Sequence, residues 1–245
     1  MKKNLILFFL MPLLLTGCVS TLRTSPDYTR SIPAIKTIAV MPIDIKVWSL
    51  TAGGVKELRD DWSEQANHFV LQALMTNLQS IPGIQVKFIN KDWMNSHLND
   101  KWKKNWALYQ AVAFSASTHA FANSQYYSQP FSTKIKKFDY TLGAEITAIS
   151  RDLNADAILF VYGFDHEATL GRKASLWWNV FMGAFTGITM IPLNPSFMSL
   201  GLVNASNGNL DWYKTTPPDN EYSFRNPHHI EDIIKWLTRD FLTQK

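Results

Sequence analysis

The stretch that decides the fold is residues 153–164, LNADAILFVYGF. Its apolar part, from Ala157 to Phe164, follows a short polar turn, which is typical of a strand buried on both faces. The preceding residues 139–153 carry apolar side chains at helical spacing, and Asp139 is placed to cap the start of that helix. A helix, a short turn and a buried strand together predict a compact α/β unit.

The residues before this unit predict two more strands and a long helix. Residues 35–45 (IKTIAVMPIDI) are a strand candidate because their apolar run at 38–41 suggests a centre covered on both faces, and residues 84–89 (IQVKFI) are another because apolar and polar residues alternate in them. Residues 55–80 carry an apolar stripe at three- and four-residue steps, and Pro82 and Gly83 follow it as a break. This part of the chain therefore predicts a strand–helix–strand unit.

The residues after the unit predict a hairpin and a last helix. Segments 199–205 and 210–214 flank an Asn-Gly pair, and both residues of that pair tolerate the positive φ of a tight turn. Asn226 and Pro227 fit the N-cap and first position of a C-terminal helix. The whole order predicts a single α/β domain over residues 35–245, with a mixed β-sheet flanked by helices.

Composition excludes several classes of protein. Of the 245 residues, 46% are hydrophobic and 18% are charged, which is too apolar for a disordered chain. One cysteine excludes a disulfide framework and a cysteine-based zinc or iron–sulfur site.

The first 17 residues have the features of a signal peptide. Lys2 and Lys3 precede an apolar run over residues 5–15, which is too short to span a bilayer. Removing residues 1–17 changes the balance of basic and acidic residues from 24 against 20 to 22 against 20, a net charge of +2. That near-neutral balance gives no support for nucleic-acid binding.

Residues 15–18, LTGC, resemble the bacterial lipobox, in which an aliphatic residue and two small residues precede a cysteine. The resemblance implies cleavage between Gly17 and Cys18, diacylglycerol on the sulfur of Cys18 and an acyl chain on its amine. Two or three acyl chains anchor a protein stably. Val19 is not the Asp that commonly retains such lipoproteins at the inner membrane, so the outer membrane is favoured. The alternative is an ordinary signal peptide with a chance cysteine.

Residues 18–34 are polar and predict a tether between the lipid and the domain. The domain itself resembles a group of bacterial envelope lipoproteins through IAVMPI (38–43), LNADAILFVYG (153–163) and LGLVNASNGNLDWY (200–213). That group includes the curli-secretion lipoprotein, the N-terminal domain of the Tol-system propeller protein and activators of penicillin-binding proteins. These motifs are structural, so the resemblance implies a fold and an envelope role rather than a catalytic activity.

The best candidate for a contact surface is the charge-free segment 174–198. We expect its aromatic and apolar side chains to bind an envelope protein or another copy of the chain; they are Leu176, Trp177, Trp178, Phe181 and Phe185. Two alternatives stay open: the segment is a buried part of the domain, or residues 174–197 form a membrane-crossing hairpin of a pore-forming oligomer.

A long insertion over residues 91–137 interrupts the α/β pattern. Within it, Lys and Trp residues are interspersed over residues 91–106, which suits binding to anionic lipid, glycan or nucleic acid, or a solvated helix face whose Trp residues anchor it in the core.

No sequence pattern predicts catalysis, and we expect no cofactor. Residues 165–167 (DHE) follow a strand, and His228 and His229 open the last helix beside Glu231 and Asp232, but neither group matches a metal motif. Nucleophile-elbow, phosphate-loop and dinucleotide-binding motifs are absent from the sequence. The sequence thus predicts a non-enzymatic envelope lipoprotein that serves as an accessory or scaffold. The remaining alternative is an enzyme that acts on envelope glycans.

Overall fold

The computed structural model describes residues 21–51, 53–98, 100–121, 132–169, 196–217 and 222–243. These residues form one mixed sheet flanked by helices, which confirms the predicted α/β domain. The strands are β1 (Leu22–Thr24), β2 (Thr37–Val40), β3 (Asp44–Leu50), β4 (Lys56–Leu58), β5 (Gln85–Phe88), β6 (Ala157–Ala168), β7 (Ser196–Asn204) and β8 (Leu210–Thr215). The helices are α1 (Tyr28–Ser31), α2 (Asp60–Leu78), α3 (Lys91–His97), α4 (Asp100–His119), α5 (Ser132–Lys136), α6 (Glu145–Asp152) and α7 (Pro227–Thr238).

Strand β6 is the centre of the sheet. Along one edge it pairs antiparallel with β7, from Ala157 opposite Asn204 to Asp165 opposite Ser196. Along its other edge it pairs in parallel first with β2 and then with β3. The strand order is β1-β8-β7-β6-β2-β5, and β4 pairs with β3. We call the end of the sheet where β6 finishes and β7 begins the exit end, and the opposite end, at the β7–β8 turn, the turn end.

Two cores hold the helices on the two faces. The first core packs α2 and α7 against the sheet through buried aliphatic residues such as Val70, Leu74 and Ile233. The second core packs α3, α4 and α6 against the other face, with Tyr109 and Phe160 fully buried at its centre. The long β6 therefore contributes buried side chains to both cores, as its unbroken apolar run predicts.

The predicted hairpin and final helix are confirmed. Gly208 has a φ of +74°, which fits the Asn-Gly turn between β7 and β8. The Asn226 side chain accepts a hydrogen bond from the His228 backbone N–H at 3.1 Å, and Pro227 occupies the first turn of α7.

Two elements differ from the sequence predictions. Residues 35–45 form two strands rather than one: β2 stops at Val40, and β3 begins at Asp44 and pairs farther along β6. The helix predicted over 139–153 begins only at Glu145. Residues before it are held against the β7–β8 turn, since the Leu142 N–H donates to the Gly208 carbonyl at 2.8 Å. Asp139 does not cap this helix; its carboxylate is paired with Lys134.

Residues 22–34, which were expected to be part of a tether, pack on the domain. Strand β1 pairs antiparallel with β8, and Tyr28 is buried. The buried Asp211 carboxylate accepts hydrogen bonds from Ser25 Oγ at 2.7 Å and Ser31 Oγ at 2.8 Å. The polar residues that suggest a tether in the sequence are therefore partners of a buried carboxylate, which needs such partners.

The described part of the insertion, residues 91–98, 100–121 and 132–137, consists mainly of helices, and α3 and α4 pack on the second core. Trp93, Trp102 and Trp106 pack partly buried against that core, while Lys101 and Lys103 are exposed. This arrangement fits the interpretation of a solvated helix face anchored by tryptophans. Among the helices that the structure describes, none is both long enough and apolar enough to cross a bilayer.

Candidate functional site

The last part of β6 separates its side chains onto two faces of the sheet. Asp165 and Glu167 are buried on the face of α2 and α7, whereas Tyr162, Phe164 and His166 are half-buried on the other face. This split follows from the two-residue period of a strand. The three residues of the Asp-His-Glu sequence therefore do not converge on one site.

Aromatic side chains from three neighbouring strands meet on the half-buried face. In register, Trp48 lies beside His166 across β3 and β6, and Phe164 lies opposite Phe197 across β6 and β7. The ring centroids of Phe164 and Phe197 are 5.6 Å apart, and those of Phe164 and His166 are 5.2 Å apart. We call this surface the aromatic face; its members are Trp48, Tyr162, Phe164, His166 and Phe197.

The aromatic face begins where the cover of α4 ends. Toward the turn end, Tyr109 of α4 stacks on Phe160 with centroids 4.3 Å apart and lies directly over Gly201. A β-carbon at Gly201 would be 2.6 Å from the Tyr109 hydroxyl, so the glycine allows the helix to approach this closely. From Tyr162 toward the exit end, by contrast, the side chains of this face are half-buried. A cluster of half-buried aromatic rings on a sheet face is a common feature of binding surfaces.

Charged residues border the aromatic face on one side. Asp44 and Lys46 of β3 point to the same face and form an ion pair of 3.2 Å. Asp44 also accepts a hydrogen bond from the Trp106 indole N–H at 3.4 Å, which links α4 to the start of the face. The surface therefore has an apolar centre and a polar margin, which is the usual composition of a protein–protein interface.

A buried polar cluster lies behind the aromatic face, on the opposite side of β6. Asp165 is fully buried and accepts a hydrogen bond from the Phe224 backbone N–H at 2.8 Å. Burial raises the pKa of Asp165 to about 7, and the nearby Glu167 charge acts in the same direction. Glu167 in turn accepts a hydrogen bond from Ser223 Oγ.

This cluster fastens the entry to α7 to the sheet. The Ser223 N–H donates to His229 Nδ1 at 3.0 Å, so the short segment before α7 is held by β6 on one side and by the helix on the other. Within the described ranges, no three His, Cys, Asp or Glu side chains come together in a way that would hold a metal ion. A raised carboxyl pKa occurs at many active sites, but here the carboxyl holds a backbone N–H in the interior.

A groove of about 690 Å³ lies at the turn end, between residues 27–35 and the β7–β8 turn. Its charged side chains have structural partners: Asp156 accepts the N–H groups of Lys36 at 2.9 Å and Thr37 at 2.8 Å, and Arg30 pairs with Asp27 at 3.1 Å. The groove therefore gives a weaker candidate site than the aromatic face.

None of the sequence-predicted site residues falls in the part of the chain that the structure describes. Gly17, Cys18 and the five predicted contact residues, Leu176, Trp177, Trp178, Phe181 and Phe185, are outside the described residues, so these predictions stay untested. The structure does place the ends of their segment, Thr169 and Ser196, at the exit end beside the aromatic face. The aromatic residues at every second position, 162, 164 and 166, are the sequence signal for the aromatic face. The other two members, Trp48 on β3 and Phe197 on β7, join them only through the strand register.

Comparison with known proteins found solved structures with a similar arrangement, among them the three that follow. A PelC dodecamer from Paraburkholderia phytofirmans is 11% identical, with a TM-score of 0.35, and the match covers 91% of this chain and 96% of that chain. A variant PelC dodecamer from the same organism is 12% identical, with a TM-score of 0.35 and coverage of 93% and 100%. The C-terminal domain of LpoB from Salmonella enterica is 10% identical, with a TM-score of 0.26 and coverage of 77% and 93%.

No family model matches the chain, and no curated protein matches it. With TM-scores below 0.5, the three structural likenesses do not bear on what this chain binds or does.

Proposed function

We propose that this chain is a lipid-anchored, non-enzymatic lipoprotein of the bacterial cell envelope, which binds an envelope protein or further copies of itself through the aromatic face. The observation that carries the binding role is the meeting of five half-buried aromatic side chains from β3, β6 and β7 on one face of the sheet. The anchor at Cys18 is supported by the lipobox sequence LTGC. Val19 favours the outer membrane, on its periplasmic side.

The anchor is tested by the mass and the flotation of the mature protein. We expect an N-terminal Cys18 that carries diacylglycerol and an acyl chain, and a protein that floats with the outer-membrane fraction. Cys18→Ser is expected to abolish the lipid mass and the flotation. A Cys18→Ser protein that still floats would contradict anchoring through this residue.

The binding role is tested by photo-crosslinking in cells. A crosslinking amino acid at His166, on the aromatic face, is expected to give one discrete adduct whose mass identifies either a second copy or an envelope protein. The same amino acid at the exposed Asn207, at the turn end, is the positional control and is expected to give none.

A substitution pair separates binding from folding. Trp48→Thr with Phe164→Thr removes two rings of the face and keeps residues that favour strands, so the adduct from position 166 is expected to fall about tenfold. Trp102→Ala, which removes a half-buried ring from α4, is the matched control and should leave the adduct intact. An undiminished adduct in a folded Trp48/Phe164 variant would overturn the assignment of the face.

A pore-forming oligomer is the second candidate, because of how the chain leaves the sheet. Asp165 and Ser196 are directly paired on antiparallel strands, so residues 170–195 begin and end on neighbouring strands. A membrane-crossing hairpin needs about 9–11 residues in each arm, and this length is sufficient. Mass photometry of the lipidated protein in mild detergent tests this candidate. A closed ring that is lost when residues 174–197 are deleted would favour it, and a monomer or dimer would rule it out.

A further inference from the structure

We infer that the exit end of the sheet faces the bilayer and that the β3–β4 turn, of which residues 51 and 53–55 are described, contacts the lipid headgroups. This inference rests on the proposed lipidation of Cys18 and adds to it an orientation and a contact surface. The direction of β1, the position of the β3–β4 turn and the side chains near that turn each support the inference.

The direction of β1 places the anchor on the exit-end side. Strand β8 runs toward the exit end and β1 runs antiparallel to it, so the chain enters β1 from that side. The Thr215 N–H donates to the Thr21 carbonyl at 3.0 Å, which fixes the entry point on the sheet. Cys18 precedes Thr21 by three residues, a chain length of about 11 Å at most. With so short a connection, the domain stays against the bilayer surface.

The β3–β4 turn lies at the same end and is exposed. Leu50, the last residue of β3, pairs with both Ala168 of β6 and Lys56 of β4, so the turn reaches the level at which β6 ends. The turn is closed by a hydrogen bond from the Thr51 N–H to the Val55 carbonyl at 3.0 Å. Val55 is 64% exposed, against 36% for Leu58 and 41% for Leu108.

Arginine and tryptophan side chains lie just after β4, where the Arg59 N–H donates to the Val47 carbonyl at 2.9 Å. The Trp62 ring lies between two guanidinium groups, with Arg59 4.2 Å and Arg225 4.0 Å from its centre. Tryptophan and arginine with both apolar and polar parts suit the boundary between headgroups and water.

Basic and acidic residues near the β3–β4 turn are equal in number, and this balance indicates which kind of lipid surface the turn contacts. Besides the two arginines, Lys56 is basic, while Glu57, Asp60 and Asp61 are acidic, and Asp61 pairs with Arg59 at 3.0 Å. The contact therefore does not need an anionic lipid. The partner that this chemistry fits is the headgroup layer of a largely zwitterionic bilayer, held in contact by the anchor.

Single cysteines test the orientation, because Cys18 is the only cysteine of the chain and its thiol is blocked in the lipidated protein. Val55→Cys at the exit end and Ser206→Cys at the turn end both place a thiol at an exposed position. Each full-length lipidated protein is labelled with an environment-sensitive fluorophore and reconstituted into vesicles of phosphatidylethanolamine and phosphatidylglycerol that contain brominated lipid.

The two labels should report very different distances from the bilayer. The 12 residues of β6 extend over about 40 Å, so quenching at position 55 is expected to be about threefold or more stronger than at position 206. The difference is expected to persist in vesicles without phosphatidylglycerol, since the turn carries balanced charge. Equal quenching at the two positions, or stronger quenching at position 206, would overturn the inference.

The same samples separate this inference from the proposed anchor. A labelled protein that lacks the lipid mass or does not float with the vesicles would refute the proposed anchoring. A protein that is lipidated and floats, but shows no quenching preference for position 55, would leave the anchor in place and refute the orientation.

Discussion

Replacing Asp165 by Asn is expected to make the protein more stable at pH 8 and to change its stability little near pH 4. Asp165 is fully buried, and burial raises its pKa to about 7, while an unfolded chain has a value near 3.8. At a pH between these two pKa values, the folded state binds about one more proton than the unfolded state. Stability due to this group is therefore present at low pH and is lost as the pH rises to about 7.

The size of the effect follows from the same two values. The difference between the folded pKa of about 7 and the unfolded pKa of 3.8 corresponds to a loss of about 4 kcal/mol at most in the free energy of unfolding. This full loss is reached above pH 7. Asparagine carries no charge at any pH, and its amide oxygen is able to accept the 2.8 Å hydrogen bond from the Phe224 N–H. The Asn variant should thus keep the contact and lose the cost of burying a charge.

The assay is chemical denaturation of the mature protein at pH 5, 6, 7 and 8. The free energy of unfolding of Asp165→Asn minus that of the native chain is expected to grow from pH 5 to pH 7 and to level off by pH 8. Asp232→Asn, which removes an exposed carboxylate from α7, controls for the loss of a negative charge. A difference that stays constant with pH, or an Asn variant that becomes less stable at pH 8, would refute the reasoning about Asp165.

Three further predictions concern packing, capping and the charge-free segment. Gly201→Ala is expected to lower the free energy of unfolding by about 1–3 kcal/mol, because a β-carbon would be 2.6 Å from Tyr109 Oη. An unchanged midpoint of chemical denaturation would contradict this prediction. Asn226→Ala should cost about 0.5–2 kcal/mol through loss of the cap of α7, measured in the same way, and Asn226→Ser should recover most of it. Trp177→Ala with Trp178→Ala is expected to abolish co-purification of a partner or oligomer while thermal unfolding stays cooperative; unchanged association would exclude this segment as the contact.

The sequence predicted those elements whose determinants are local. The hairpin depends on Asn207 and Gly208, and the start of α7 depends on Asn226 and Pro227. In both cases, adjacent residues determine the backbone conformation. The strand at 84–89 was found within one residue at either end, as β5 (Gln85–Phe88). For such features the chemistry that forms the element is contained in a few consecutive residues.

Features that depend on distant partners were not predictable from the pattern. Residues 25–31 look like a tether until Asp211, far along the chain, is seen to accept hydrogen bonds from Ser25 and Ser31. The start of α6 is delayed because residues 140–142 bind the β7–β8 turn. The aromatic face likewise requires the register that places Trp48 beside His166 and Phe197 opposite Phe164.

The docking of β1 changes what lipidation at Cys18 would do. A lipoprotein on a long tether samples many orientations, so any of its surfaces can meet a partner at some distance from the membrane. Here only two residues separate Cys18 from Thr21, so the orientation is restricted and the exit end, with the aromatic face beside it, is kept near the lipid. We therefore expect the partner to be another membrane-attached protein or a second copy. Inserting about ten Gly and Ser residues between positions 18 and 21 should reduce crosslinking from His166, whereas an unchanged yield would show that membrane proximity does not contribute.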